Sequence, residues 1–192
     1  SRRQRQMCIR DSGMMTYQRA ASLKGLSDRR DLSYSIFKGN TVIETFNEFQ
    51  YFTGMTSIPH GIFENCSNLR EVTLPICSAS EIGDYPITGT KITRWIVPEG
   101  YTTFNTITGY YGTTLELVDY PSTTEKMNNF MWNNDCKVFI CRALNPPILT
   151  SWGRGTINAI YVPDGSVNAY KTANNWSSKA SIIYPLSAYK ER

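Results

Sequence analysis

Apolar residues return along this chain as one six-residue phrase, apolar–x–x–apolar–x–apolar, closed by a proline. Leu69, Val72 and Leu74 fill its slots before Pro75, Ile92, Trp95 and Val97 before Pro98, and Leu115, Val118 and Tyr120 before Pro121. These copies lie 23 residues apart. The same step backward places Phe46, Phe49 and Tyr51 in the slots, with Phe52 where proline would stand. One step forward places Val138, Cys141 and Ala143 there. In such a phrase the fourth and sixth positions point to the same side of a strand. A fixed period of roughly 20–50 residues is the mark of a solenoid, in which each unit stacks only on its neighbours.

A second pattern runs between the strands. Ile58, Ile82 and Phe104 each precede a phrase by ten or eleven residues, and Cys66, Gly89 and Gly112 stand three residues before Leu69, Ile92 and Leu115. Each unit therefore has a second apolar contact and a constrained turn. The closing prolines donate no ladder hydrogen bond and end each strand at a corner. Three buried side chains contribute about 2 kcal/mol each, less than the ordering of a whole unit costs at about 1 kcal/mol per residue. One unit cannot fold alone.

The ends differ from the middle. Residues 13–45 read as a helical cap, with Thr16 as N-cap and Tyr17, Ala20, Ala21 and Leu23 on one face. Gly13 and the residues around it are similar to half of a calcium loop. Cys8, Arg10 and Arg19 stand where carboxylates would, so no calcium site is expected. Downstream, Pro146-Pro147 stiffens a corner before a strand over Ile157 to Val162. Asp164-Gly165-Ser166 then starts a helix bearing Val167, Tyr170 and Ala173; Trp176 closes that segment, and a last strand reads Ile182-Ile183-Tyr184-Pro185.

Charge narrows the function classes. The 192 residues carry a net charge of +4. Most of that excess sits in residues 1–12, where Arg2, Arg3, Arg5 and Arg10 face only Asp11. This stretch lacks the pattern of the rest and reads as a non-native or disordered tail, behind which the chain is truncated. The near-neutral body lacks the basic face of a nucleic-acid binder. No apolar run is long enough to span a membrane. The five cysteines form no C-x-x-C pair, and His60 is the one histidine, so neither metal nor cofactor is expected. Buried hydrophobic cysteine is the preferred reading, and Cys141 occupies a core slot.

Chemistry is sparse. A Cys66–His60 dyad is conceivable, but a core cysteine beside a solvated histidine is the simpler reading. Glu48, Glu71, Glu116 and Asp119 are the carboxylates placed by the repeat, and Glu48 and Glu71 on adjacent strands would lie about 5 Å apart, a spacing compatible with glycoside hydrolysis. Solvated surface charge is preferred, and no enzyme is expected. The third and fifth positions of the phrase point outward. They form two columns, Glu48, Glu71, Arg94, Leu117, Ile140 and Gln50, Thr73, Ile96, Asp119, Arg142. Glu48, Glu71, Arg94, Ile96, Leu117, Asp119, Ile140 and Arg142 are the candidate binding residues. Exposed together, Ile96, Leu117 and Ile140 would form an apolar contact patch, unless the C-terminal segment covers them. The Tyr/Thr-rich loop from Tyr101 to Tyr111 is a candidate stacking platform for sugars, although turns commonly contain such residues.

The stretch Phe63-Glu64-Asn65-Cys66-Ser67-Asn68-Leu69-Arg70-Glu71-Val72-Thr73-Leu74-Pro75 resembles the BspA-type leucine-rich repeat. The lead-in from Phe46 to Gly54 and the ending, through Ile140 to Ala143, Pro146-Pro147, Ile160 to Pro163, Tyr170 and Trp176, are similar to the same family. The units at Ile92 and Leu115 keep the strand but not the Phe-x-x-Cys-x-x-Leu lead, and the asparagine ladder of ordinary leucine-rich repeats is absent. The resemblance implies a mainly β, right-handed leucine-rich-repeat solenoid with short parallel strands, a short N-terminal helix and a C-terminal capping helix. Its repeat domain would span 46–187, with the cap from about 157 and a tail at 188–192. It further implies a secreted or cell-surface protein of gut bacteria or their phages, acting in adhesion as a monomer or part of a larger chain. The partner would be a host or bacterial surface protein or glycan. A structural spacer in a larger surface or virion protein is the rival, and a carbohydrate-active enzyme ranks behind both.

Overall fold

The computed structural model describes residues 37–47, 49, 57–75, 81–109, 114–132 and 134–191. The helix expected over Thr16 to Leu23, Cys8, Cys77 and Glu48 lie outside the described residues, as do Gln50, Tyr51, Phe52, Gly112 and the end of the Tyr101–Tyr111 loop. Short strands β1 (Thr45–Phe46), β2 (Ser57–Ile58), β3 (Glu71–Val72), β4 (Glu81–Ile82), β5 (Arg94–Ile96) and β6 (Thr103–Phe104) come first. Six-residue strands follow: β7 (Leu115–Tyr120), β8 (Lys126–Met131), β9 (Cys136–Cys141), β10 (Ile148–Gly153) and β11 (Ile157–Val162). Helix α1 (Val167–Thr172) and strand β12 (Ile183–Pro185) close the chain.

Odd and even strands separate. β5, β7, β9, β11 and β12 form one five-stranded sheet, β2, β4, β6, β8 and β10 another, and β1 pairs with β3. The pairings are parallel. From β4 to β11 the chain thus alternates between the two five-stranded sheets, and the molecule is a mainly β solenoid. The second apolar pattern is the inner row of the even sheet. Ile58 pairs with Ile82, Ile82 with Phe104, Phe104 with Met127, and Met127 with Leu149. That row was legible as far as Phe104; Met127 and Leu149 extend it into two strands not anticipated. The even sheet also carries a short polar ladder: Asn128 Nδ2 donates to Asn105 Oδ1 at 2.5 Å, and Asn105 Nδ2 to Glu81 Oε1 at 2.7 Å.

From Leu69 onward the six-residue phrase survives on the odd strands, but the strict period does not. Arg94 pairs with Leu117 at the expected step of 23. On the next strand Leu115 pairs with Cys136 and Val118 with Phe139, a step of 21. The buried triplet there is Cys136, Phe139 and Cys141, not Val138, Cys141 and Ala143. At the other end Phe46, not Phe49, pairs with Val72, a step of 26. The turns absorb insertions and deletions, while buried rings decide which residue faces inward. Phe104 stacks on Tyr120 at 3.9 Å, and Phe130 contacts Phe139 at 4.4 Å. Phe139, Trp152 and Trp176 continue the array to the C-terminal end. Around Phe46, the rings of Phe37, Phe49 and Phe63 fill the opposite end.

The C-terminal cap forms where its sequence signals placed it. Tyr170 and Trp176 are fully buried. Tyr170 Oη donates to Ala143 O at 2.8 Å and Trp176 Nε1 to Pro147 O at 2.9 Å. Asn175 Nδ2 reaches Leu149 O on the edge strand β10 at 2.7 Å. The cap thereby satisfies carbonyls that an open sheet edge would present to other chains.

Candidate binding face

The outer face of the odd sheet is built from residues that alternate with its core. On β7, Val118 and Tyr120 point into the core, which sends Leu117 and Asp119 outward. The registers then define two outward rows. One runs Arg94, Leu117, Val138, Ala159 and the other Ile96, Asp119, Ile140, Tyr161, Tyr184. The step of 21 moves Ile140 out of the column of Leu117 and beside Asp119.

Exposure divides this face. Glu71 and Thr73 on the β3 side, Arg94 and Arg142 are exposed, and Ile96 keeps 51% of its surface in solvent. Of the two outcomes left open, an exposed patch or covered side chains, Leu117 and Ile140 take the second, at 4% and 1% exposed. Asp119 is also buried, at 7%. Neither Leu117 nor Ile140 belongs to the contiguous hydrophobic core. The segment that follows β12 is anchored on this face. Leu186–Ala188 is a short 3-10 turn whose Ser187 N–H donates to Asp164 Oδ1 at 2.9 Å. The Tyr189 ring packs on Tyr161 at 5.2 Å, and the Glu191 carboxylate lies 2.5 Å from the Arg94 guanidinium.

The charged candidates are paired. Arg142 holds Asp119 in a two-pronged contact, Nε to Oδ1 at 2.8 Å and Nη2 to Oδ2 at 2.7 Å. That hydrogen-bonded carboxylate raises the guanidinium pKa further. Glu116 meets Lys137 at 2.8 Å. Two carboxylates considered for hydrolysis are thus each held by a cation. Thr45, and not Glu48, is the register partner of Glu71. The equivalence that brought Glu48 within about 5 Å of Glu71 does not hold. An open cleft of about 490 Å³ at the corner of Ser122 to Glu125 and Ala143 to Ile148 has Glu125 as the one carboxylate in its lining. A pair of flanking acids needs two.

The reactive side chains have separate partners. Cys66 is fully buried and its thiol donates to Phe37 O at 2.9 Å. Burial pushes its pKa up to about 11. His60 instead contacts Asp84, with Nδ1 3.8 Å from Oδ2, and meets the Tyr85 ring edge-on at 5.2 Å. Cys136 and Cys141 are buried as well, Cys141 in the sixth slot of its phrase as Cys136 is in the first. Among the described residues no cluster of His, Cys, Asp and Glu is arranged to hold a metal, and no helix is long and apolar enough to cross a membrane.

Compared with known families, residues 31–142 match the BspA type leucine rich repeat region in six copies. A comparison with curated proteins returns no match.

Proposed function

This chain belongs to the BspA-type leucine-rich repeat family, and on that premise we propose that it is a non-enzymatic interaction module of a secreted or surface-exposed protein. Membership in this repeat family supports a module of the protein-interaction kind, and secretion or surface display fits that reading. The finer reading is adhesion to a host or bacterial surface protein through the outer face of the odd sheet. One observation carries it. Ile96 leaves half its surface in water on the strand that also exposes Arg94, and the exposed Glu71 and Thr73 hold the equivalent places in the preceding copy of the phrase. An apolar centre with a charged rim suits a protein surface better than a sugar. Leu117, Ile140 and Asp119 are buried and do not take part in that contact.

The test is an array of host and bacterial surface proteins and glycans, probed with the unsubstituted chain and with Ile96→Ser and Glu71→Lys. Both positions are exposed, so the variants should keep the melting temperature within a degree or so of the parent. Loss of a protein hit in both variants supports this face. A hit that survives both places the contact elsewhere. If no component binds, a spacer role is the better account.

A further inference from the structure

Leu117 and Ile140 are buried in an unusual way. They lie on outward rows of a sheet whose core is on the other side, and the 186–191 segment is anchored on their register partners in the same rows. The path of that segment follows from its two anchors. Tyr189 rests on Tyr161, the register partner of Ile140. Glu191 pairs with Arg94, the register partner of Leu117. Between these anchors the chain must cross β9 and β7, the strands that carry Ile140 and Leu117. Leu186 and Tyr189 are half-buried, while Ser187, Ala188, Lys190 and Glu191 are exposed. The segment therefore presents one side to the sheet at a spacing of three and the rest to water.

Its attachment differs from that of every strand. The strand before it, β12, ends at Pro185, and beyond that residue the segment is held by a ring pair, an ion pair and hydrogen bonds of Ser187 and Leu186 to the Asp164 carboxylate. The Arg94 and Glu191 side chains are 43% and 67% exposed, so their ion pair contributes little. Lifting 186–191 would break no sheet ladder. It would uncover an apolar floor of Leu117 and Ile140 with Arg94 and the Asp119–Arg142 pair on the rim. Apolar floor and charged rim are what a peptide-binding groove requires.

We propose that this face is a docking groove for an extended peptide segment of a protein partner, with residues 186–191 as its resident occupant. The chemistry of the resident specifies the ligand class: an aromatic side chain for Tyr161, followed two residues on by a carboxylate for Arg94. A partner carrying that spacing would displace the resident and bind in its place. This rests on reading the odd sheet as an interaction face, but its test needs no identified partner.

The probe is a fluorescein-labelled peptide of sequence LSAYKE, residues 186–191. The Tyr189→Ala/Glu191→Ala double variant of the full chain should bind it at least tenfold more tightly than the unsubstituted chain, in which the resident competes. The Arg94→Glu variant should lose binding, and a peptide with Arg in place of Glu should restore it. If the double variant keeps its circular dichroism and melting transition yet binds no better than the parent, the groove is overturned. Should the double variant unfold, hydrogen exchange in the unsubstituted chain decides. Excess peptide should speed exchange at 186–191, and unchanged exchange would overturn the proposal. Peptide binding without any hit on the surface-protein array keeps the groove and discards the Ile96 contact. An array hit lost in Ile96→Ser, with no peptide binding, does the reverse.

Discussion

Gly153 shows how tightly neighbouring coils approach. It sits at φ +76°, and an ideal Cβ there would lie 1.4 Å from Met131 O on the adjacent strand. Only glycine meets both demands, left-handed backbone and direct contact with a carbonyl. Gly153→Ala should therefore cost at least about 3 kcal/mol, read as a shift in the urea midpoint. The cysteines give a chemical counterpart. Burial raises Cys66 and Cys141 to about 11 and Cys136 to about 12. Alkylation needs the thiolate. At about pH 8 these thiols should react on the order of a hundredfold more slowly than free cysteine, and at full speed in denaturant, as followed by peptide mass spectrometry. Rapid labelling of any of the three in the folded chain would contradict their burial.

At the scale of elements, the solenoid is closed by an aromatic cap rather than by a long helix. Trp176 is fully buried against Trp152 and Tyr170, and its indole N–H satisfies Pro147 O. Trp176→Ala removes the ring, leaves a cavity and unpairs that carbonyl, at about 3–5 kcal/mol. In a stack where coils touch only neighbours, that loss should stay local. Hydrogen exchange should accelerate first in β9 to β12, while the aromatic cluster of Phe46, Phe49 and Phe63 at the opposite end retains its protection. Uniform acceleration over all coils would mean that the solenoid unfolds as one cooperative unit.

For the molecule as a whole, the main question is how firmly 186–191 holds its face. Asp164 takes part through its hydrogen bonds with Ser187, which lower its pKa below the ordinary 3.8. A carboxyl with a depressed folded-state pKa stabilises the fold above its ordinary pKa, and the contribution is lost as pH falls through the depressed value. The seat of 186–191 should loosen only below about pH 3.8, seen as faster amide exchange in that segment. Asp164→Asn should remove this acid step and leave the sheet registers unchanged. If the variant and the parent loosen alike, Ser187 is not held through Asp164.

What residue order alone determined is the local rule. The apolar–x–x–apolar–x–apolar phrase and its prolines carried strand placement, inward and outward faces, and the cap at Tyr170 and Trp176, because strand alternation and turn chemistry act within a few residues. The parallel solenoid followed, because such a phrase cannot bury itself except against copies. Tertiary structure decided the rest. A period of 23 could not disclose that loops shift β9 by two residues, since the register is set by which rings fit together in the core, as with Phe139 against Phe130 and Tyr120. The phrase at Cys136, Phe139 and Cys141 was visible, but so was the competing one two residues on. Nor could it disclose that Leu117 and Ile140 are buried. The segment anchored across their rows lies some 70 and 50 positions away in sequence, and only the folded path of the chain brings it there.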